Sequence, residues 1–276
     1  MSTRTMRKIG SRGEDRKLPL SHQSYYESVP VTASGFEITL NELKGWIVFE
    51  DDRVLVVNKP ALVLCHPSKN GPWSSLIGAC REYTGLETLH MPSRLDRETS
   101  GVVVFAKDRE MGSMLQRAIE HRQVRKYYRA ILCGDLREPV TVDQPIGRDG
   151  GVVHIRQWVR ADGAAAVTVF EPVERRVSAE PSEKSYTLVE VRPLSGRMHQ
   201  IRVHAAWLGH PIVGDKIYGP DPRLFLDFIE SGWTAELAAR LELPRQALHA
   251  RRIEFEGGPA FEAPLAGDLV EFWEGL

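Results

Sequence analysis

MPSRLDRETSGVVVFAKD, Met91–Asp108, sets one carboxylate, Asp96, between Arg94 and Arg97, turns at Gly101 and runs straight into Val-Val-Val-Phe. Gly101–Ala106 is an unbroken, largely β-branched apolar run, the pattern of a strand buried on both faces. The carboxylate precedes the Thr-Ser-Gly turn, so it is expected at the mouth of that strand. Arginine does not lose its proton, and one nearby keeps a carboxylate ionised. Such a carboxylate is suited to act as a nucleophile or a base. The alternative is an inert surface ion-pair cluster that starts a strand.

Outward from this stretch the periodicity switches repeatedly. In REMGSMLQRAIEHRQ (109–123), Met111, Met114, Leu115, Ala118 and Ile119 recur at helical spacing and predict an amphipathic helix. KYYRAILCG returns as a strand, and Ala165–Phe170 and Ser185–Val191 are two more, around a polar loop at 174–184. Upstream, Ile47–Phe49 and Val54–Val57 read as short strands split by the Asp51-Asp52 turn, the second ended by Pro60. GRMHQIRVHAAWLGHP predicts a second helix with Ile201, His204, Ala205 and Leu208 on one face, capped near Gly209. HARRIEFEG alternates as a half-buried strand. Strands outnumber helices without regular alternation, so the expected class is α+β with a mixed, mostly antiparallel sheet flanked by helices and loops. Residues 1–45 are expected to be a basic, partly disordered tail and connector, and 46–276 the catalytic domain.

The 276 residues carry a net charge of −1, but unevenly. From Arg94 to Arg129 nine Lys/Arg face five Asp/Glu, and from Asp221 to Leu276 eleven acids face five Lys/Arg. The basic part is either a surface for a polyanion or simply a solvated helix face, and charge alone favours the latter. No apolar run is long enough for a membrane helix. The N-terminus lacks a secretory pattern, and three scattered cysteines fit a reducing compartment, so a cytoplasmic, monomeric protein is expected.

Other groups bear on Asp96. Arg202 lies on a helix whose apolar face is already filled. RKYYRAIL places two tyrosines beside Lys126 and Arg129, a pattern for stacking nucleobases, although a sheet tyrosine packed in the core is the commoner case for one of the two. One rival is a metal-dependent nuclease using Asp51, Asp52, Asp96 and Asp215, against which the flanking arginines argue by repelling a cation. A zinc site of His199, His204 and His210 lacks the i, i+4 spacing that brings two histidines to one helix face. A noncatalytic RNA-binding protein is the third.

Five segments in order resemble the pseudouridine synthases, in particular the family that acts on ribosomal and transfer RNA. VLVVNKPALVLCHP is similar to an NKP…HP opening, SRLDRETSG to HRLDxxTSG, and KYYRAILCG to K-x-Y-x-A…G. GRMHQIRVHAAWLGHPIVGD resembles GRxHQIRxH…GHPIxGD, and LHARRIEFE resembles LHAxxLxF. The resemblance implies a single α+β catalytic domain that isomerises uridine in structured RNA to pseudouridine with an aspartate, no cofactor and no metal.

It further implies Asp96 as the catalytic aspartate, Tyr128 as a tyrosine stacking on the target base, and Arg202 as the basic partner of Asp96. Arg94 would help displace the base, Ile253 would line the uracil pocket, and Arg97, Lys126, Arg197 and His199 would contact the RNA. Ser93 stands where the family commonly has histidine. No S4-type RNA-binding module is expected ahead of the domain, and the basic tail Arg4–Lys17 would make at most nonspecific phosphate contacts. Substrate selectivity is expected in the 174–184 and 220–246 segments.

Overall fold

The computed structural model describes residues 31–32, 35–66, 71–178 and 184–276. The basic tail at 4–17 and part of the 174–184 loop lie outside the described residues. The first elements are a two-residue hairpin, β1 (Val31–Thr32) and β2 (Gly35–Phe36), and helix α1 (Leu40–Trp46). The Thr39 hydroxyl accepts the Glu42 N–H while Glu42 takes the Thr39 N–H, a reciprocal cap that fixes where α1 begins. Ile38 and Leu43 are buried in the core. The expected connector to residue 45 is thereby corrected: the packed body starts before Trp46, because α1 contributes apolar side chains to it.

The main sheet contains β3 (Ile47–Glu50), β4 (Val54–Lys59), β5 (Ser100–Ala106), β6 (Val124–Cys133), β7 (Val140–Asp143), β10 (Val167–Val177), β11 (Ser185–Pro193), β12 (Leu248–Phe255) and β13 (Ala260–Glu262). Its order is β3-β4-β5-β12-β6-β11-β10-β7, with β13 beside β12. A small separate hairpin joins β8 (Ile146–Arg148) to β9 (Gln157–Val159). Every main-sheet pairing is antiparallel except β5 with β12, which meet in two rungs, His249 with Ser100 and Ala250 with Gly101. The sheet is therefore two antiparallel halves joined at a narrow parallel seam. The polar loop expected from residue 174 begins later, because β10 continues to Val177 against β11.

Each face carries its own packing. Helices α1 and α2 (Leu76–Thr84) bury Leu43, Leu76 and Ala79 with Leu55, Val57 and Phe105 on one side of β4 and β5. Helix α3 (Arg109–Glu120), capped by the Asp108 carboxylate, covers Val54, Val56, Val102 and Val104 with Leu115 on the other. Met114, expected on the buried stripe of α3, is 46% exposed. Helices α4 (Gln200–Trp207) and α7 (Gly267–Glu274) close the second half with Ile201, Ala205, Leu269 and Trp273 over β6 and β11. The 220–246 segment holds helices α5 (Arg223–Ser231) and α6 (Ala235–Leu241), which bury Leu224, Leu237 and Leu241 together.

Candidate active site

The loop that ends in β5 carries Asp96 to the seam. Thr99 N–H closes a turn onto the Asp96 carbonyl (3.1 Å), and the buried Lys59 ammonium clamps the same loop by donating to the carbonyls of Pro60, Val63 and Arg97 (2.9, 3.0 and 3.1 Å). Burial brings Lys59 down to about 8. At the seam Ala250 pairs with Gly101 on one side and with Tyr128 on the other, so the register sets Tyr128 one strand beyond the start of β5. Asp96, Tyr128, Leu248 and Arg202 wall a cleft of about 310 Å³.

Arg202 is the hub. Its Nη1 donates to Asp96 Oδ2 (2.9 Å), while Nε and Nη2 grip both oxygens of Asp215 (2.7 and 2.9 Å). Asp215 is fully buried and also accepts the N–H groups of Ile217 and Tyr218. One guanidinium thus serves two carboxylates, and its planar fork suits that geometry. Burial would raise the Asp96 carboxyl; Arg202 and then His199 outweigh it, and the group sits below the usual carboxylate range. Asp96 Oδ2 carries the protein contacts, a long one from Gln246 Nε2 (3.5 Å) included, whereas Oδ1 has no partner among the described residues. Its side chain is 35% exposed and lines the cleft.

His199 Nε2 stands 3.9 Å from Asp96 Oδ2. The Tyr218 hydroxyl accepts the Gln157 N–H (2.8 Å) and lies within hydrogen-bonding distance of His199 Nδ1 (2.9 Å), which fixes the ring with Nε2 toward Asp96. Burial and the Arg202 charge push His199 down to about 4, so the ring is neutral at physiological pH. The Arg202 guanidinium also lies 5.0 Å over the Tyr218 ring. Burial and the Asp96 charge raise Tyr128, which therefore stays a phenol at neutral pH. Burial alone brings Lys126 down to about 8.

The remaining expected residues divide. Arg94, Arg197 and Lys126 line the cleft with His199. Arg94 bonds His66, and Arg97 donates to the Leu62 carbonyl (3.2 Å), so neither flanking arginine pairs with Asp96; the distant Arg202 does. Ile253 requires a correction. It pairs with Lys126 on β6, but α3 covers it with Met111, Leu115 and Ala118, and the aliphatic side chains at the cleft are Leu95, Ile119, Ile201 and Leu248.

The carboxylates of the nuclease reading are dispersed: Asp51 caps the β3–β4 turn and Asp215 is spent on Arg202. The three histidines part company too, His204 bonding Thr168 and Gln144, and His210 the Cys133 carbonyl. Lys59, Tyr218 and Gln246 were not singled out from sequence. Lys59 sits in the NKP segment and Asp215 ends the GHPIVGD segment, which are the signals that mark them.

Comparison with known proteins adds to this geometry. Residues 53–207 match a family described as RNA pseudouridylate synthase. Ribosomal large subunit pseudouridine synthase D of Vibrio vulnificus is 34% identical over 83% of this chain and 70% of its own length. An RNA pseudouridine synthase of Bacillus subtilis (YhcT), described as uncharacterized, is 36% identical over 75% of this chain and 63% of its own. Among solved structures, human RNA pseudouridylate synthase domain containing 4 superposes with a TM-score of 0.66 at 26% identity, covering 86% of this chain and 94% of that one. Human RNA pseudouridylate synthase domain containing 1 gives 0.61 at 26% identity, over 79% and 82%.

Proposed function

This chain belongs to the RNA pseudouridylate synthase family, and from that premise we propose that it converts specific uridines of structured RNA to pseudouridine at the Asp96 cleft. The observation that carries the reading is the pairing of Asp96 Oδ2 with Arg202 in a cleft that Asp96 lines together with Tyr128. The reaction breaks the C1′–N1 bond, turns the uracil and joins C5 to C1′. C5 gives up a proton and N1 gains one, so atoms and electrons balance without an oxidant or phosphate energy.

Asp96 Oδ1 supplies the charge this needs, by attack on the nucleoside or by taking a proton from it. The Arg202 charge, in direct contact, keeps the carboxylate ionised. The target base has to leave its stack, at about a few kcal/mol, and Tyr128 offers a ring for it to rest on while Arg94 fills the gap at the rim. Ribosomal and transfer RNA are the expected substrates, the former favoured by the name of the Vibrio vulnificus relative. A monomeric, cytoplasmic protein suits this role; among the described residues no helix is long and apolar enough to cross a membrane.

Pseudouridines are mapped in ribosomal and transfer RNA from cells with the gene, without it, and complemented with wild type or Asp96→Asn. Sites that vanish on deletion, return with wild type and stay absent with D96N support the reading. A map unaltered by deletion overturns it, and a deletion phenotype rescued by D96N assigns the protein to noncatalytic RNA binding.

A further inference from the structure

The cleft does not end at the target site. A second hollow of about 600 Å³ runs from it between the start of β6 and the loop after β11, and the two share Lys126, Ser195 and Arg197 as a common wall. Its lining brings together Arg122, Arg125, Lys126, Arg192 and Arg197 against a single carboxylate, Glu120, with Tyr127 among them. Few of these cations are committed. Lys126 and Arg122 have no ionic partner among the described residues, and the Arg125 pair with Glu254 is long (3.8 Å). Arg192 pairs with the half-exposed Glu171, and Arg197 spends only Nε, on the Ala165 carbonyl.

The trough is also built to hold its shape. Gln200 on α4 accepts from the Ser195 hydroxyl (2.8 Å) and the Arg197 N–H (3.0 Å), and donates to the Val167 carbonyl and the Thr168 hydroxyl. Arg122 takes a positive φ of 58° just past the end of α3, which turns the chain there. A rigid cationic channel with one aromatic wall matches a single strand, whose phosphates it neutralises and whose bases have free faces to stack.

We propose that this trough carries the single-stranded RNA backbone on one side of the flipped nucleotide, with Arg122, Arg125 and Arg192 on its phosphates and Tyr127 against a neighbouring base. The proposal rests on the reading that RNA enters the Asp96 cleft, and it adds that the substrate strand is unpaired beside the target.

The test measures the salt dependence of binding of the full chain to a uridine dodecamer and to its duplex with adenosine dodecamer. Each lost phosphate contact lowers the slope of log affinity against log salt by ~0.7 for a single strand. Arg122→Gln with Arg125→Gln is expected to reduce the single-strand slope by about 1.4 and leave the duplex slope nearly unchanged. Arg137→Gln with Arg175→Gln is the control, because both arginines gather at Asp135 beyond the opposite end of β6. Equal losses in the control, equal losses on the duplex, or an unchanged single-strand slope would each overturn the proposal. Thermal unfolding of each variant verifies the fold. Pseudouridine formation is scored separately, so failure of the isomerase reading shows as absent product in the wild type whatever the slopes do.

Discussion

Asp215 holds Arg202 at two points from a fully buried position, and Arg202 in turn reaches Asp96 with the arm that remains. The carboxylate that lines the cleft is thus aimed by one buried away from it. Asp215→Asn should leave Arg202 short of a counter-charge in the interior, at about 3–5 kcal/mol for a broken buried pair. Urea unfolding should show that loss. At temperatures where the variant remains folded, product formation should fall further than RNA affinity. Wild-type stability in D215N would mean that the pair is not structural.

Tyr128 combines a ring with a hydroxyl that stays protonated, and two substitutions separate them. Tyr128→Phe keeps the stacking surface and should bind RNA within a few-fold of wild type, while turnover drops by about 10²–10⁴ if the hydroxyl moves a proton. Tyr128→Leu removes the ring as well and should lose a further ~1–3 kcal/mol of binding. Full turnover in Y128F would reduce the residue to a stacking surface.

The acid side of the pH profile follows from two lowered groups. Asp96 has a folded pKa below its ordinary value, so its charge persists as pH falls through the usual carboxylate range. His199, pushed to about 4, stays neutral from neutral pH down to the upper edge of that range. Turnover should therefore show no break between about pH 5 and 7, where an unperturbed histidine would titrate near 6.5. Ion-pair stability linked to Asp96 has the same sign: present above the ordinary carboxyl pKa and lost as pH falls through the folded one. A single-turnover profile with a break near 6.5 in wild type, absent in His199→Ala, would contradict the neutral ring.

Gly101 has φ of +114°, and a Cβ there would sit 2.2 Å from the Ala250 carbonyl oxygen and 2.6 Å from its nitrogen. Gly101→Ala therefore attacks one of the two rungs of the seam and should cost more than about 1 kcal/mol, the bound for a substitution whose backbone cannot be accommodated. Denaturant midpoints measure the loss, and soluble material should also lose turnover, because Tyr128 takes its position from the same rung.

Much of this was legible in the chain. The Gly101–Ala106 run, the α3 stripe and the GRMHQIRVH segment give their elements directly, since strong periodicity and clear caps leave little competition. The Asp96–Arg202 partnership came through resemblance, because no local pattern links residues 106 positions apart. Arg94 and Arg97 looked like partners of Asp96 from adjacency, yet the turn directs their side chains to His66 and Leu62. Ile253 alternated correctly as a strand residue, but which covering element it meets is set by α3, which the strand pattern does not encode. Lys59 was marked only by its place in the NKP segment, because its three acceptors are carbonyls, which leave no trace in side-chain sequence.

The narrow parallel seam has a consequence for how the molecule holds together. With so few backbone rungs across it, much of the cross-linking is done by side chains: Asp96 to Arg202, Glu98 to Lys216 and Thr99 to Gln246, each spanning from one half to the other. The carboxylate proposed to react is therefore also a rivet. Neutralising it should loosen the joint as well as stop the chemistry, and amide hydrogens of Gly101 and Ala250 should exchange faster in D96N than in the parent.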